Sequence, residues 1–171
     1  MKSRVIVDAG PLVALLNRRD THHAWVVQQL GDIQPPMLSC ESVLAEATYL
    51  TRAIPGARAA LIEMLGEGFL NIGMALADHH SAILAMVRRY NNIPISLADA
   101  CLVRLAELYP QSPVLTLDSD FVVYRKNGRQ VISLITPRTS PDSNQYRFKQ
   151  VKTTAASCTL RCKIDYGPTP L

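Results

Sequence analysis

No stretch of the sequence approaches the roughly 18 consecutive apolar residues of a membrane-spanning helix, so no membrane partner is expected. Near the start, Asp8 interrupts the apolar run Val5-Ile6-Val7, and no secretory leader is expected. Cysteine is scarce, four in 171 residues. That is too few for a disulfide-stapled scaffold and fits a reducing, cytoplasmic compartment. A glycine-rich phosphate loop is missing, which argues against a nucleotide-binding α/β protein, and there is no internal repeat. Histidine is sparse too. Its four copies are two adjacent pairs, His22-His23 and His79-His80. Neighbours about 100° apart on a helix do not share a face as i,i+4 metal ligands do, so both pairs are read as helix N-terminal positions. Cys158 and Cys162 form a lone Cys-x-x-x-Cys with no histidine nearby, a pattern of free thiols rather than of a zinc site.

Apolar residues, by contrast, are plentiful. The 48% hydrophobic and 19% charged content supports a packed core and excludes global disorder. A formal net charge of +4 invites a nucleic-acid partner, but its placement matters. Residues 1–137 carry 12 Lys+Arg and 12 Asp+Glu, whereas residues 138–171 carry six bases and two acids. The excess therefore lies entirely in the last 34 residues, of which five are Leu, Ile, Val or Phe. Such a segment buries too little apolar surface to offset its ordering entropy. The expected organisation is a folded domain over 1–137 and a disordered basic tail over 138–171.

Within 1–137, short β-branched runs alternate with longer helical stripes, the pattern of an α/β layered domain. Strands are predicted at 4–7, 37–39, 69–72, 114–117 and 131–135. Helices are predicted at 10–16, at 20–30 with Asp20 as N-cap, at 57–65, and from a Ser96 cap to 108. Val43, Ala47, Leu50 and Ile54 form a further stripe stopped by Pro55-Gly56, and Ile83, Met86, Val87 and Tyr90 form another with Arg88 and Arg89 turned outward. Strands separated by helices imply right-handed crossovers and a mostly parallel sheet with helices on both sides. Function in such sheets lies beyond the carboxyl ends of the strands.

Four acids fall where that crevice would be. Asp8 follows the first strand, and Asp118 follows the predicted strand at 114–117; each is also a common turn residue in that position. At about 100° per residue, Glu46 lies about 60° from Val43 and about 40° from Leu50, on the edge of the apolar stripe. Its other reading is a rim salt bridge to an arginine. Asp99 shares a face with Leu102, Val103 and Ala106, while Arg104 and Glu107 point away. Its other reading is the N3 acid of a Ser96-x-x-Asp99 capping box. Unit charges about 4 Å apart repel by about 4 kcal/mol at an effective dielectric of about 20. A converging cluster must therefore bind protons or a cation. All-carboxylate ligands suit Mg²⁺ or Mn²⁺ over Zn²⁺. Thr116 and Asp120 flank Asp118 and are candidates to support it.

The segments Val5-Ile6-Val7-Asp8, Ser42-Val43-Leu44-Ala45-Glu46-Ala47, Ser96-Leu97-Ala98-Asp99-Ala100 and Leu115-Thr116-Leu117-Asp118-Ser119-Asp120-Phe121, in this order, resemble the PIN-domain nucleases, and among them the VapC-like toxins. The resemblance spans about residues 3–136. It implies a compact three-layer α/β domain in which Asp8, Glu46, Asp99 and Asp118 are catalytic and bind Mg²⁺ or Mn²⁺, with Asp120 as an additional metal-site acid. It also implies endoribonuclease activity leaving a 3′-hydroxyl and a 5′-phosphate, a homodimer, and a small antitoxin as the partner of a type II toxin–antitoxin system. Asp8 is followed here by Ala9-Gly10-Pro11, where many members carry a Ser or Thr. The alternatives are a catalytically inactive nucleic-acid-binding or interaction module on the same fold, and a hydrolase of small phosphate esters.

Other side chains have weaker claims. Arg18 and Arg19 end the first predicted helix near the expected crevice, and Arg125, Lys126 and Arg129 form a basic cluster that suits RNA backbone or an exposed loop. Trp25 fits core or interface, and Cys40 and Cys101 read as small buried hydrophobes.

Overall fold

The apolar runs become short strands and the stripes become helices. The computed structural model describes residues 4–92 and 95–137; the basic tail over 138–171, with Cys158 and Cys162, lies outside the described residues. In chain order the elements are β1 (Ile6–Val7), α1 (Ala9–Leu16), α2 (His23–Asp32), β2 (Met37–Ser39), α3 (Glu41–Leu50), α4 (Ala57–Gly66), β3 (Leu70–Ile72), α5 (Leu76–Arg89), α6 (Leu97–Leu108), β4 (Val114–Leu115), a 3-10 helix (Ser119–Val122), β5 (Arg125–Lys126), β6 (Gln130–Val131) and β7 (Leu134–Ile135).

Five of the strands form one sheet of order β3-β2-β1-β4-β7. Every pairing in it is parallel, with Ile6 opposite both Leu38 and Val114 and Leu115 opposite Ile135. Parallel neighbours need crossovers, and the helices between successive strands provide them, flanking the sheet. The last crossover, β4 to β7, uses the 3-10 helix and a β5–β6 hairpin instead. Ile6, Val7, Leu38, Val114 and Leu115 are fully buried, as expected of a parallel sheet's central strands. α6 is apolar nearly all round, with seven of its twelve residues buried, and packs against α3, α5, β1 and β5. A helix of that composition belongs inside a protein rather than on it.

The structure departs from the sequence pattern in several places, and β1 and β4 are shorter than their apolar runs. α2 begins at His23 rather than at Asp20, because the Asp20 carboxylate accepts from the His22 N–H at 2.8 Å and closes a turn before the helix starts. α3 stops at Leu50, short of Pro55, and Thr51 ends it by donating its hydroxyl to the Ala47 carbonyl at 2.7 Å. The predicted strand at 131–135 is divided: Gln130–Val131 turns back onto Arg125–Lys126, and only Leu134–Ile135 joins the main sheet. Arg104 and Glu107, expected in solvent, are largely covered and pair with each other at 2.8 Å, since α6 has neighbours on most sides.

Candidate metal centre

Each acid of the cluster owes its position to a change in local structure. Asp8 ends β1 and is also the N-cap of α1, its Oδ1 accepting from the Ala9 N–H at 2.6 Å. Its other oxygen, Oδ2, accepts from the Thr116 hydroxyl at 2.7 Å. That hydroxyl oxygen in turn accepts the Asp118 N–H at 2.9 Å. One buried threonine thus ties the two strand ends together. Gly10 lets α1 approach the same edge: a Cβ there would stand 3.3 Å from the Leu117 Cβ. Asp118 then caps the 3-10 helix, its Oδ1 accepting from the Asp120 N–H at 2.8 Å.

Asp99 sits in the first turn of α6 inside a full capping box. The Ser96 hydroxyl accepts from the Asp99 N–H at 3.0 Å, and Asp99 Oδ2 accepts from the Ser96 N–H at 3.1 Å. The turn and capping roles weighed for Asp8, Asp99 and Asp118 are therefore all realised, and they are compatible with a site. Capping fixes one carboxylate oxygen and leaves acceptor capacity on the other. Glu46 is different. It is exposed, because the Leu50 that sets its stripe is itself 47% exposed; Glu46 stands at the rim rather than on an inward face. Among the described residues no arginine pairs with it. Asp118 and Asp120 are exposed as well.

Electrostatics join these side chains. Burial lifts the Asp8 carboxyl from its ordinary 3.8 to about 6, against the two hydrogen bonds from Thr116 and Ala9, with Asp99 and Glu46 adding to the rise. Burial likewise raises Asp99, which Asp118 and Asp120 push further, and raises Glu46, which Asp99 and Asp118 push further. Interactions of this kind mean that the acids lie near one another, with Asp99 acting on or acted on by each of the others. Among the described residues no three His, Cys, Asp or Glu side chains form a group that could hold a metal ion as they stand. The donor set nevertheless fits a hard divalent cation: carboxylate oxygens alone, with the nearby thiols turned to each other. Cys40 and Cys101 are buried, and their contact lowers the Cys101 thiol and raises that of Cys40.

The remaining candidates separate from the site. Arg18 and Arg19 follow the far end of α1, about 12 Å along the helix from its N-cap Asp8 at about 1.5 Å per residue, not beside the acids as expected. The basic cluster is largely structural. The Arg125 guanidinium donates to the carbonyls of Val122, Val123 and Tyr124, closing the 3-10 helix. Lys126 is buried and its Nζ donates to the Pro110 carbonyl at 2.8 Å, pinning the hairpin to the end of α6. His22 and His23 stand at the start of α2, and His79 and His80 within α5. Trp25 packs half-buried against the core.

Sequence reasoning misses Tyr124. It is fully buried, and burial first, then nearby Asp99, Asp120 and Asp118, push its phenol up. The signal for its place is the Asn127-Gly128 pair, a strong hairpin marker, with both residues at positive φ, 49° and 76°. Thr116 is the second support residue. Thr116→Val is expected to reduce stability by about 2 kcal/mol, since it strands Asp8 Oδ2 and the Asp118 N–H without a partner; urea denaturation measures this.

Three similarities bear on this arrangement. The family model described as PIN domain matches residues 5–127. A curated relative, Ribonuclease VapC26 from Mycobacterium tuberculosis, is 28% identical over 116 residues, covering 67% of this chain and 86% of its own. The crystal structure of Mycobacterium tuberculosis VapC20, titled a sarcin-ricin loop cleaving toxin, superposes with a TM-score of 0.64 at 20% identity, covering 70% of this chain and 93% of that one. The last establishes likeness of fold, and the first covers well over half the chain. The chain belongs to the PIN domain family.

Proposed function

We propose that this protein is a metal-dependent endoribonuclease acting as the toxin of a type II toxin–antitoxin pair, with Asp8, Asp99 and Asp118 holding Mg²⁺ or Mn²⁺ and Glu46 and Asp120 completing the negative rim. The observation that carries the reading is the meeting of acids at the carboxyl edge of the sheet, where the Thr116 hydroxyl ties Asp8 at the end of β1 to Asp118 beyond β4 and Asp99 and Glu46 lie close enough to add to the burial that raises Asp8. The kinship with Ribonuclease VapC26 supports RNA as the substrate.

A divalent ion bound among these carboxylates supplies an activated water and neutralises charge at the phosphodiester. The chain's own residues make the site ready for it. Thr116 and the Ala9 N–H fix the Asp8 carboxylate from two directions. Ser96 fixes one oxygen of Asp99 and leaves the other open. Asp118 is oriented by the Asp120 N–H. Oriented ligands need little reorganisation during the reaction. The exposed Tyr49 and Leu50 of α3 and Ile62 of α4 support a partner-covered face, for a second copy of the chain or for an antitoxin. Among the described residues no helix is long and apolar enough to cross a membrane, and a cytoplasmic location fits the reading. We assign the nuclease activity to residues 1–137.

The test incubates the full chain with single-stranded RNA over a titration of Mg²⁺ or Mn²⁺, beside Asp99→Asn. Cleavage that requires the ion, stops with chelator and drops by about 10²-fold or more in Asp99→Asn is the expected result. Equal cleavage by both proteins, or none at any ion concentration, overturns the proposal.

A further inference from the structure

The acid cluster leaves one neighbour unexplained. Tyr124 is fully buried, yet its hydroxyl has no hydrogen-bond partner among the described residues. Buried hydroxyls nearly always have one, and an unmet one destabilises the fold. The ring has little freedom to find a partner elsewhere. Tyr90 meets it edge-on at 5.3 Å and 70°, and Phe121 at 5.3 Å and 82°. Tyr90 is itself fixed, its hydroxyl accepting the Arg125 N–H at 2.9 Å. The hydroxyl so held lies among the acids, with Asp99 within its reach and Asp120 and Asp118 near enough to act on it. Asp99 has spare capacity to receive it, because its bond from the Ser96 N–H is made at Oδ2.

We propose that Tyr124 is a positioning residue for the cation site: its phenol O–H donates to the Asp99 carboxylate when the site is loaded, joining Ser96 in setting that ligand's orientation. The inference rests on the cation-binding reading of the cluster. A phenol hydrogen bond to a carboxylate is charge-assisted and short, and partners that orient a ligating carboxylate commonly govern metal affinity by 10- to 100-fold. Asp99 is the acceptor within reach of that hydroxyl.

Tyr124→Phe in the full chain, compared with Tyr90→Phe and Asp99→Asn, tests this by calorimetric Mn²⁺ titration and by thermal melting without metal. Tyr124→Phe is expected to melt at or above the wild-type temperature without metal and to bind Mn²⁺ about tenfold more weakly. Tyr90→Phe is expected to melt lower with its Mn²⁺ affinity unchanged, which separates loosening of the hairpin from loss of the Tyr124 hydroxyl. Wild-type Mn²⁺ affinity in Tyr124→Phe, with binding lost in Asp99→Asn, overturns the role of Tyr124 alone. A lowered metal-free melting temperature in Tyr124→Phe also overturns it, by giving the hydroxyl a structural bond. Undiminished Mn²⁺ binding by Asp99→Asn removes the cation reading itself, and this inference with it.

Discussion

Asp8→Asn is expected to lower RNA cleavage by about 10²- to 10³-fold, the scale of losing one preorganised electrostatic partner, while leaving the metal-free fold at least as stable as the wild type. Asparagine has the shape of aspartate and is an equally good N-cap, so the bond from the Ala9 N–H survives. The Thr116 hydroxyl is a rotor that both donates and accepts; it can accept from an asparagine amide as readily as it donates to the carboxylate. The negative charge is what changes. In the metal-free protein that charge is buried beside Asp99 and Glu46, and burial is the main reason its carboxyl titrates near 6. Removing it relieves an unfavourable term in the empty site and removes a ligand from the working one. Activity and stability should therefore move in opposite directions, which a merely structural aspartate would not do. Cleavage rates beside urea midpoints for the two proteins check both halves.

The same physics sets a second large effect, a pH dependence opposite to ordinary acid denaturation. A carboxyl whose folded-state pKa lies above its unfolded value binds its proton more tightly in the fold. The stability it contributes is complete below the unfolded value, 3.8, and is lost as the pH rises through about 6. For Asp8 that difference corresponds to about 3 kcal/mol. Asp99 and Glu46, both raised, act in the same direction. The difference in unfolding free energy between Asp8→Asn and the wild type, followed from pH 4 to pH 7 without metal, should grow in favour of the variant by about this amount. Mn²⁺ at about 100 times its Kd should cancel most of it at pH 7. A ligand at 100 times its Kd stabilises by about 2.7 kcal/mol, and Asp8→Asn forfeits most of that. A pH-independent difference, or equal gains from Mn²⁺ in both proteins, contradicts the account.

What the sequence makes legible follows from what each position depends on. Asp8 and Asp99 are readable because local pattern decides them: a β-branched run ending in an acid, and a Ser-x-x-Asp ahead of an apolar stripe. Asp118 is readable for the same reason, although the strand before it is shorter than its apolar run. Glu46 is legible only as far as the edge of its stripe, because that stripe includes Leu50, and nothing local reveals that Leu50 stays exposed; burial there is decided by tertiary packing. Arg18 and Arg19 fail on direction, since a helix capped by Asp8 runs away from the edge where Asp8 sits. Arg125 and Lys126 look like an RNA-facing cluster when weighed by charge. Their true employment, capping the 3-10 helix and reaching the Pro110 carbonyl, depends on contacts distant in sequence. The Asn127-Gly128 turn was the local clue to that hairpin, and through it to Tyr124. Thr116 was visible as a flank of Asp118, but its bond to Asp8, 108 residues away in sequence, belongs to the sheet pairing of β1 with β4.

The most direct measurement is anomalous diffraction from crystals of the full chain soaked in Mn²⁺. The account predicts one strong anomalous peak at the carboxyl edge of the sheet, within ligand distance of Asp8, Asp99 and Asp118, and its disappearance in Asp99→Asn. A Mn²⁺ peak bound elsewhere, or none at these carboxylates in a crystal whose open edge faces solvent, contradicts it.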